Sequence, residues 1–166
     1  MEKISGQKYD EFLTQYVLGP AGMKDSGYDL NAPVLKHRAS GYTPFGTILL
    51  NAEYINMTIP GGAGGLYSTV EDLLLWERAL FGDKVVSAES LKKMTTPSLK
   101  NYAYGLAIGE VRQHKMIGHS GGIDGFNTEL RYYPDDKFVV VVLGNVNGNA
   151  PRQIADRLTE LVLEKQ

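Results

Sequence analysis

Cysteine is absent from all 166 residues, which removes disulfides, thiolate nucleophiles and Cys-based zinc sites together and leaves the redox compartment open. A charge excess is missing too: 17 basic and 19 acidic side chains give a net charge of −2. They are interspersed along the chain, so no patch argues for nucleic acid or an anionic membrane as partner. No apolar run approaches the length of a membrane span, and Met1-Glu2-Lys3-Ile4-Ser5-Gly6-Gln7-Lys8 holds no signal-peptide core. The expectation is a soluble chain without an address, its localisation undetermined. The three histidines, His37, His114 and His119, show no paired ligand spacing and no accompanying carboxylate pattern, so neither a metal nor a cofactor is expected. Internal repeats and low-complexity tracts are also lacking.

What is present suits one ordinary domain with a sizeable core, at 43% hydrophobic and 22% charged residues. Glycine, 19 in all, clusters at 61–65 and 118–125, which reads as tight turns inside a fold. The first cluster, Gly61-Gly62-Ala63-Gly64-Gly65, is no phosphate loop. It lacks the closing Gly-Lys-Ser/Thr, and Tyr67 stands where a dinucleotide fingerprint needs its last glycine.

Tyr9, Phe12, Leu13, Tyr16 and Val17 share a helical face that should stop at Leu18-Gly19-Pro20. Residues 23–60 have no sustained period and several prolines and glycines, predicting extended loops with one short strand near Ile48–Leu50. Ser68-Thr69-Val70-Glu71 is a capping-box pattern opening a helix from Thr69 to Phe81, with Val70, Leu73, Leu74, Leu80 and Phe81 as its buried stripe and Gly82 as its stop. Ser87 can cap a shorter helix through Met94.

From Tyr102 the period changes to two. Tyr104, Leu106 and Ile108 alternate with small residues, Phe126–Tyr133 alternates weakly, and Phe138–Leu143 is apolar at every position. Alternation predicts half-covered strands and the continuous run a strand buried on both faces, hairpinned to its predecessor through Pro134–Lys137. Pro151 can open a closing helix whose apolar face carries Ile154, Ala155, Leu158, Leu161 and Val162. Between the strands stands His119-Ser120-Gly121-Gly122-Ile123-Asp124-Gly125-Phe126. A His-hydroxyl-Gly tripeptide beside a hairpin could form one wall of a serine acyl-transfer site, presenting an imidazole, a hydroxyl and free amides together.

The stretches Ile4–Leu13, Pro20–Tyr28, Ala63–Thr69 with Asp72 and Leu73, and His119–Gly122 with its hairpin, occur in an order that resembles the serine β-lactamase and penicillin-binding protein superfamily, in its class C, D-alanyl-D-alanine carboxypeptidase and esterase branch. The resemblance covers the C-terminal half of such a domain. It implies an α+β fold: an antiparallel sheet of three or four strands, a C-terminal helix on one face and a helix/loop region on the other. Residues 1–98 would form the helix/loop region, and 99–166 the sheet and last helix. By resemblance His119 stands where the family has Lys or His, Ser120 supplies the substrate-binding hydroxyl, Gly121 leaves room for the acyl group, and the Gly122 amide is an oxyanion donor. Asn147 or Asn149 and Arg152 would correspond to the carboxylate-reading Asn and Arg after the final strand, at a spacing shorter by about a residue. His in place of Lys favours the peptidase and esterase branches over β-lactam hydrolysis.

The family's other motifs, Ser-x-x-Lys and Tyr-x-Asn, would lie upstream of Met1. Ser5-x-x-Lys8, Ser90-x-x-Lys93 and Tyr54-x-Asn56 satisfy these patterns, but chance alone supplies roughly 0.5 matches to each in a chain of this composition. Two functions therefore compete, with an enzyme using Ser5 or Ser90 ranked behind both. One is the substrate wall of a serine acyl hydrolase acting on D-Ala-terminated or peptidoglycan-type peptides, esters or amides, inactive alone. The other is a non-catalytic ligand-binding or self-associating module. An apolar strand with one edge uncovered predicts a homodimer or segment exchange through that edge.

Overall fold

The computed structural model describes residues 1–164. Its first part carries helices α1 (Glu2–Ser5), α2 (Tyr9–Leu13) and α3 (Gly19–Ala21), the short strands β1 (Gly27–Tyr28), β2 (Tyr42–Phe45), β3 (Ile48–Asn51) and β4 (Leu66–Tyr67), then α4 (Val70–Leu80) and α5 (Ala88–Met94). Strands β5 (Ala107–Val111), β6 (His114–Ile123), β7 (Phe126–Tyr133) and β8 (Phe138–Gly144) and helix α6 (Ala150–Leu163) follow. The sheet is antiparallel in the order β5-β6-β7-β8, so the α+β architecture with four strands holds.

The helix expected over residues 9–17 does not stop before Pro20. Residues Thr14–Leu18 form a π-helical turn, after which the Gly19 amide reaches back five residues to Thr14 O. The wide turn moves a carbonyl out of the way of a ring that has no N–H to donate, and the helix runs on to Ala21. It also advances the buried face. Leu13, Leu18 and Ala21 pack with Met23 and Ala79, while Tyr16 stays 48% exposed and lies against Phe12.

Thr69, not Ser68, caps α4, its Oγ1 accepting from the Asp72 amide at 3.2 Å. The Asp72 carboxylate turns outward from the helix start and accepts from the Asp25 amide (2.8 Å) and the Ser26 hydroxyl (2.7 Å). That pins the loop before β1. Of the expected stripe Leu80 is buried, Leu73, Leu74 and Phe81 are partly covered, and Val70 is exposed. Phe81 packs on Tyr132, ring centroids 4.1 Å apart, and so joins α4 to the sheet. Ser87 caps α5 as expected.

The strand foreseen near Ile48–Leu50 is β3, but it has an unforeseen partner: β2, with Pro44 opposite Leu49. Proline in a two-stranded ribbon forfeits no more than one donor, which a sequence pattern cannot distinguish from a loop. Tyr42 bonds to Asn145 O through its amide and accepts from the Asn147 amide, both at 2.9 Å, sewing this ribbon to the end of β8.

β8 is covered on both faces, as its continuous apolar run requires, by α4 and α6. It is nevertheless the last strand of the sheet, with one edge unpaired among the described residues. Tyr133 and Val140 of the sheet pack with Ala155 of α6, and the Tyr133 and Thr159 hydroxyls share a 3.0 Å hydrogen bond. The closing helix departs from expectation here. It turns Pro151, Ala155 and Thr159 to the sheet and leaves Ile154 (48%), Leu158 (41%) and Leu161 (41%) open. Small side chains at i, i+4 and i+8 let the helix sit close to the valine-rich strand while Tyr133 fills the gap.

Candidate active-site wall

β5 pairs with β6 only from Val111↔His114 to Ala107↔Gly118. β7 pairs with β6 through to Ile123↔Phe126. The segment His119–Ile123 is therefore bonded on one side and open on the other. Ile123 and Phe126 flank a two-residue turn, and alternation counted back from that pair aims the Ser120 and Gly122 amides away from β7, toward the open edge. Residues 119–122 are all exposed.

Gly118 is dictated by the backbone of the neighbouring strand, and Gly121 is crowded by a side chain on it. A Cβ on Gly118 would lie 2.1 Å from Leu130 O, and one on Gly121 would lie 2.4 Å from Thr128 Oγ1. The bare backbone at Gly121 thus has a structural cause beside the one the resemblance implies. A Cβ on Gly122 would meet only the side-chain Nδ2 of Asn127, at 3.2 Å.

His119 is held at both ring nitrogens. Nδ1 contacts the carbonyl of Ser120, and Nε2 lies 2.9 Å from the Tyr102 hydroxyl, with the two rings edge to face at 5.6 Å. Tyr102 precedes β5, where its backbone bridges to Leu99 and Ala107. Sequence reading missed it as a site residue. The usable signal was the antiparallel hairpin: if 107 opposes 118, the chain before 107 must pass beside the chain after 118.

The carboxylate-reading candidates come after β8, whose last residue lies in the row Gly122↔Asn127↔Gly144 at the same end of the sheet. Asn147 is occupied structurally, Oδ1 accepting from the Gly125 amide (2.9 Å) and Nδ2 donating to Thr43 Oγ1 (3.0 Å). A side chain so engaged clamps the β6–β7 turn to β2 and has little left for a ligand. Asn149 is the exposed N-cap of α6, without a side-chain capping bond, and Arg152 is exposed in its first turn.

The residues that match Ser-x-x-Lys and Tyr-x-Asn have their own partners. Ser5 Oγ donates to Met1 O (3.2 Å). Ser90 bonds with Ser87, and Lys93 pairs with Glu89 at 2.7 Å. Asn56 Oδ1 accepts from Asn31 and Thr58. None of these bonds involves His119. Among the described residues no group of three or more His, Asp or Glu is placed to hold a metal ion, and no helix is long and apolar enough to cross a membrane.

The family model described as Beta-lactamase matches residues 1–164. The chain is 26% identical over 164 residues to a putative penicillin-binding protein PbpX of Bacillus subtilis, covering 96% of this chain and 40% of that protein. It is 23% identical over 158 residues to a D-aminopeptidase of Brucella canis, covering 90% of this chain and 30% of that one. The structure of the octameric penicillin-binding protein homologue from Pyrococcus abyssi superposes with a TM-score of 0.81 at 31% identity, over 98% of this chain and 39% of that chain. The chain thus spans less than half the length of these relatives.

Proposed function

The chain belongs to the Beta-lactamase family, and from that premise we propose that it is the substrate-facing wall of a serine acyl hydrolase acting on D-amino-acid peptides, amides or esters. The observation that carries this reading is the open half-edge of β6, along which His119, Ser120, Gly121 and Gly122 are all exposed. A rigid, outward N–H can meet the oxyanion that forms when a serine oxygen bonds to the acyl carbon; the serine proton passes by way of a base to the departing amine or alcohol. The attacking serine and its base come, in this reading, from a second segment. D-amino-acid substrates fit the D-aminopeptidase relative.

The chain alone should then form no acyl-enzyme. Incubation with a fluorescent penicillin or a fluorophosphonate, followed by intact-mass measurement, is expected to leave the mass unchanged. An adduct should appear when a family segment bearing Ser-x-x-Lys and Tyr-x-Asn is co-produced. Stoichiometric labelling of a serine in the chain by itself would defeat the proposal.

A self-associating module is the second reading, favoured by the unpaired edge of β8 and the exposed Ile154, Leu158 and Leu161 of α6. It predicts a dimer or larger species by sedimentation. Leu143→Lys, at an exposed position on β8, should shift the population toward monomer. Val140→Lys is unsuitable as a probe of that edge, because Val140 is 5% exposed beneath α6 and a buried lysine there would unfold the sheet. Wild type that stays monomeric at high concentration would remove this reading.

A further inference from the structure

We propose that Tyr102 is a positioning residue for His119 on the open edge of β6, holding the ring in the orientation that keeps Nδ1 on the Ser120 carbonyl and, through that contact, fixing the tautomer; the inference rests on the reading of that edge as a substrate wall. The argument follows from what each partner can do. The carbonyl of Ser120 only accepts, so His119 Nδ1 must carry the hydrogen in their contact. In a neutral imidazole Nε2 is then an acceptor, and the Tyr102 hydroxyl, 2.9 Å away, must be its donor. The two rings pack edge to face, and the hydroxyl bond keeps the imidazole turned so that Nδ1 stays against the Ser120 carbonyl.

Two consequences follow. Both nitrogens of neutral His119 are occupied, so the lone pairs free to accept beside this histidine are those of the Tyr102 oxygen, on a residue that is 43% exposed. Gain of a proton at Nε2 reverses the bond, with Nε2–H donating to the Tyr102 oxygen, and the tyrosine hydrogen is released to point outward. Tyr102 thereby couples the charge of His119 to the direction of a hydroxyl at the edge of the wall. The placement depends on chain path: Tyr102 sits just before β5, and its bridge to Ala107 keeps it beside the point where β5 stops covering β6.

The test uses the chain as it is. In 15N-labelled protein at a pH where imidazoles are neutral, long-range 1H–15N spectra distinguish a protonated from an unprotonated ring nitrogen, and His119→Gln assigns the signals. Wild type is expected to show one dominant form, protonated at Nδ1. Tyr102→Phe, which keeps an aromatic ring and loses only the hydroxyl, should free the imidazole to turn away from the Ser120 carbonyl and so average the two tautomers, while the His37 and His114 signals stay in place. Tyr102→Leu should do the same. An averaged pattern already in wild type, or no change at His119 in Tyr102→Phe, would overturn the inference. Neither result depends on catalysis. If the tautomer behaves as expected while His119→Ala leaves a reconstituted enzyme fully active, the positioning stands and the acyl-hydrolase reading of the wall falls.

Discussion

His119→Ala, in the chain reconstituted with a segment supplying Ser-x-x-Lys and Tyr-x-Asn, is expected to lower turnover of D-amino-acid amides and esters by about 10²-fold or more. The imidazole stands on the unpaired half of β6, one residue from the Ser120 hydroxyl and three from the Gly122 amide. A group in that place can move a proton or hydrogen-bond to the acyl substrate, and such groups contribute most where charge develops. Truncation to alanine removes the ring but leaves the strand, since His119 is exposed and packs edge-on against Tyr102 alone among the aromatic residues. Loss of activity should therefore come with an unaltered unfolding midpoint. Full activity toward both substrate classes would show that the histidine is a bystander.

Stability, by contrast, should hinge on Glu77. This carboxyl lies on the buried side of α4, 3% exposed, and one of its oxygens has no hydrogen-bond partner. Burial pushes its pKa up from 4.5 to about 7. The folded protein thus holds the Glu77 proton more tightly than the unfolded chain does. The resulting stabilisation is complete below the unfolded value and is lost as pH rises from there through about 7. Linkage sets the size of the loss at about 3 kcal/mol, from 1.36 kcal/mol per pKa unit. Glu77→Gln keeps the shape and cannot ionise, so denaturant unfolding at pH 5 and pH 8 should show a pH response in wild type that the variant lacks, with the variant the more stable at pH 8. Identical responses in the two proteins would refute the assignment.

How much of this could be read along the chain depends on the range of the interaction concerned. The switch from helical to alternating period near Tyr102, the Ser87 cap, and the hairpin of β7 and β8 follow from local rules acting within a few residues: backbone capping, alternation of faces, turn chemistry. The order of separated motifs also sufficed to place the chain in its family, because those short stretches survive without the contacts between them. The helix to Ala21 was misjudged by the same local rules, which count Pro20 as a stop and do not see a π-helical turn made to accommodate it.

Tertiary structure decided the rest. The two-sided cover of Phe138–Leu143 was legible, yet its place at the edge of the sheet depends on what lies beside it. Likewise, the narrow face that α6 buries is set by the depth of the sheet beneath it, not by the helix's own apolar stripe. Asn147 reads along the chain as a substrate-facing candidate, and only the fold shows its side chain engaged by Thr43, 104 residues away in the chain, and by the Gly125 amide. His119 and Ser120 are neighbours in sequence and could be found there. That β5 begins opposite Gly118, so that residues 119–123 are left with a free edge and Tyr102, just before β5, arrives at the imidazole, is a matter of strand length and register. Register is settled by the packing of whole faces at once, and no spacing of residue types along one strand contains it.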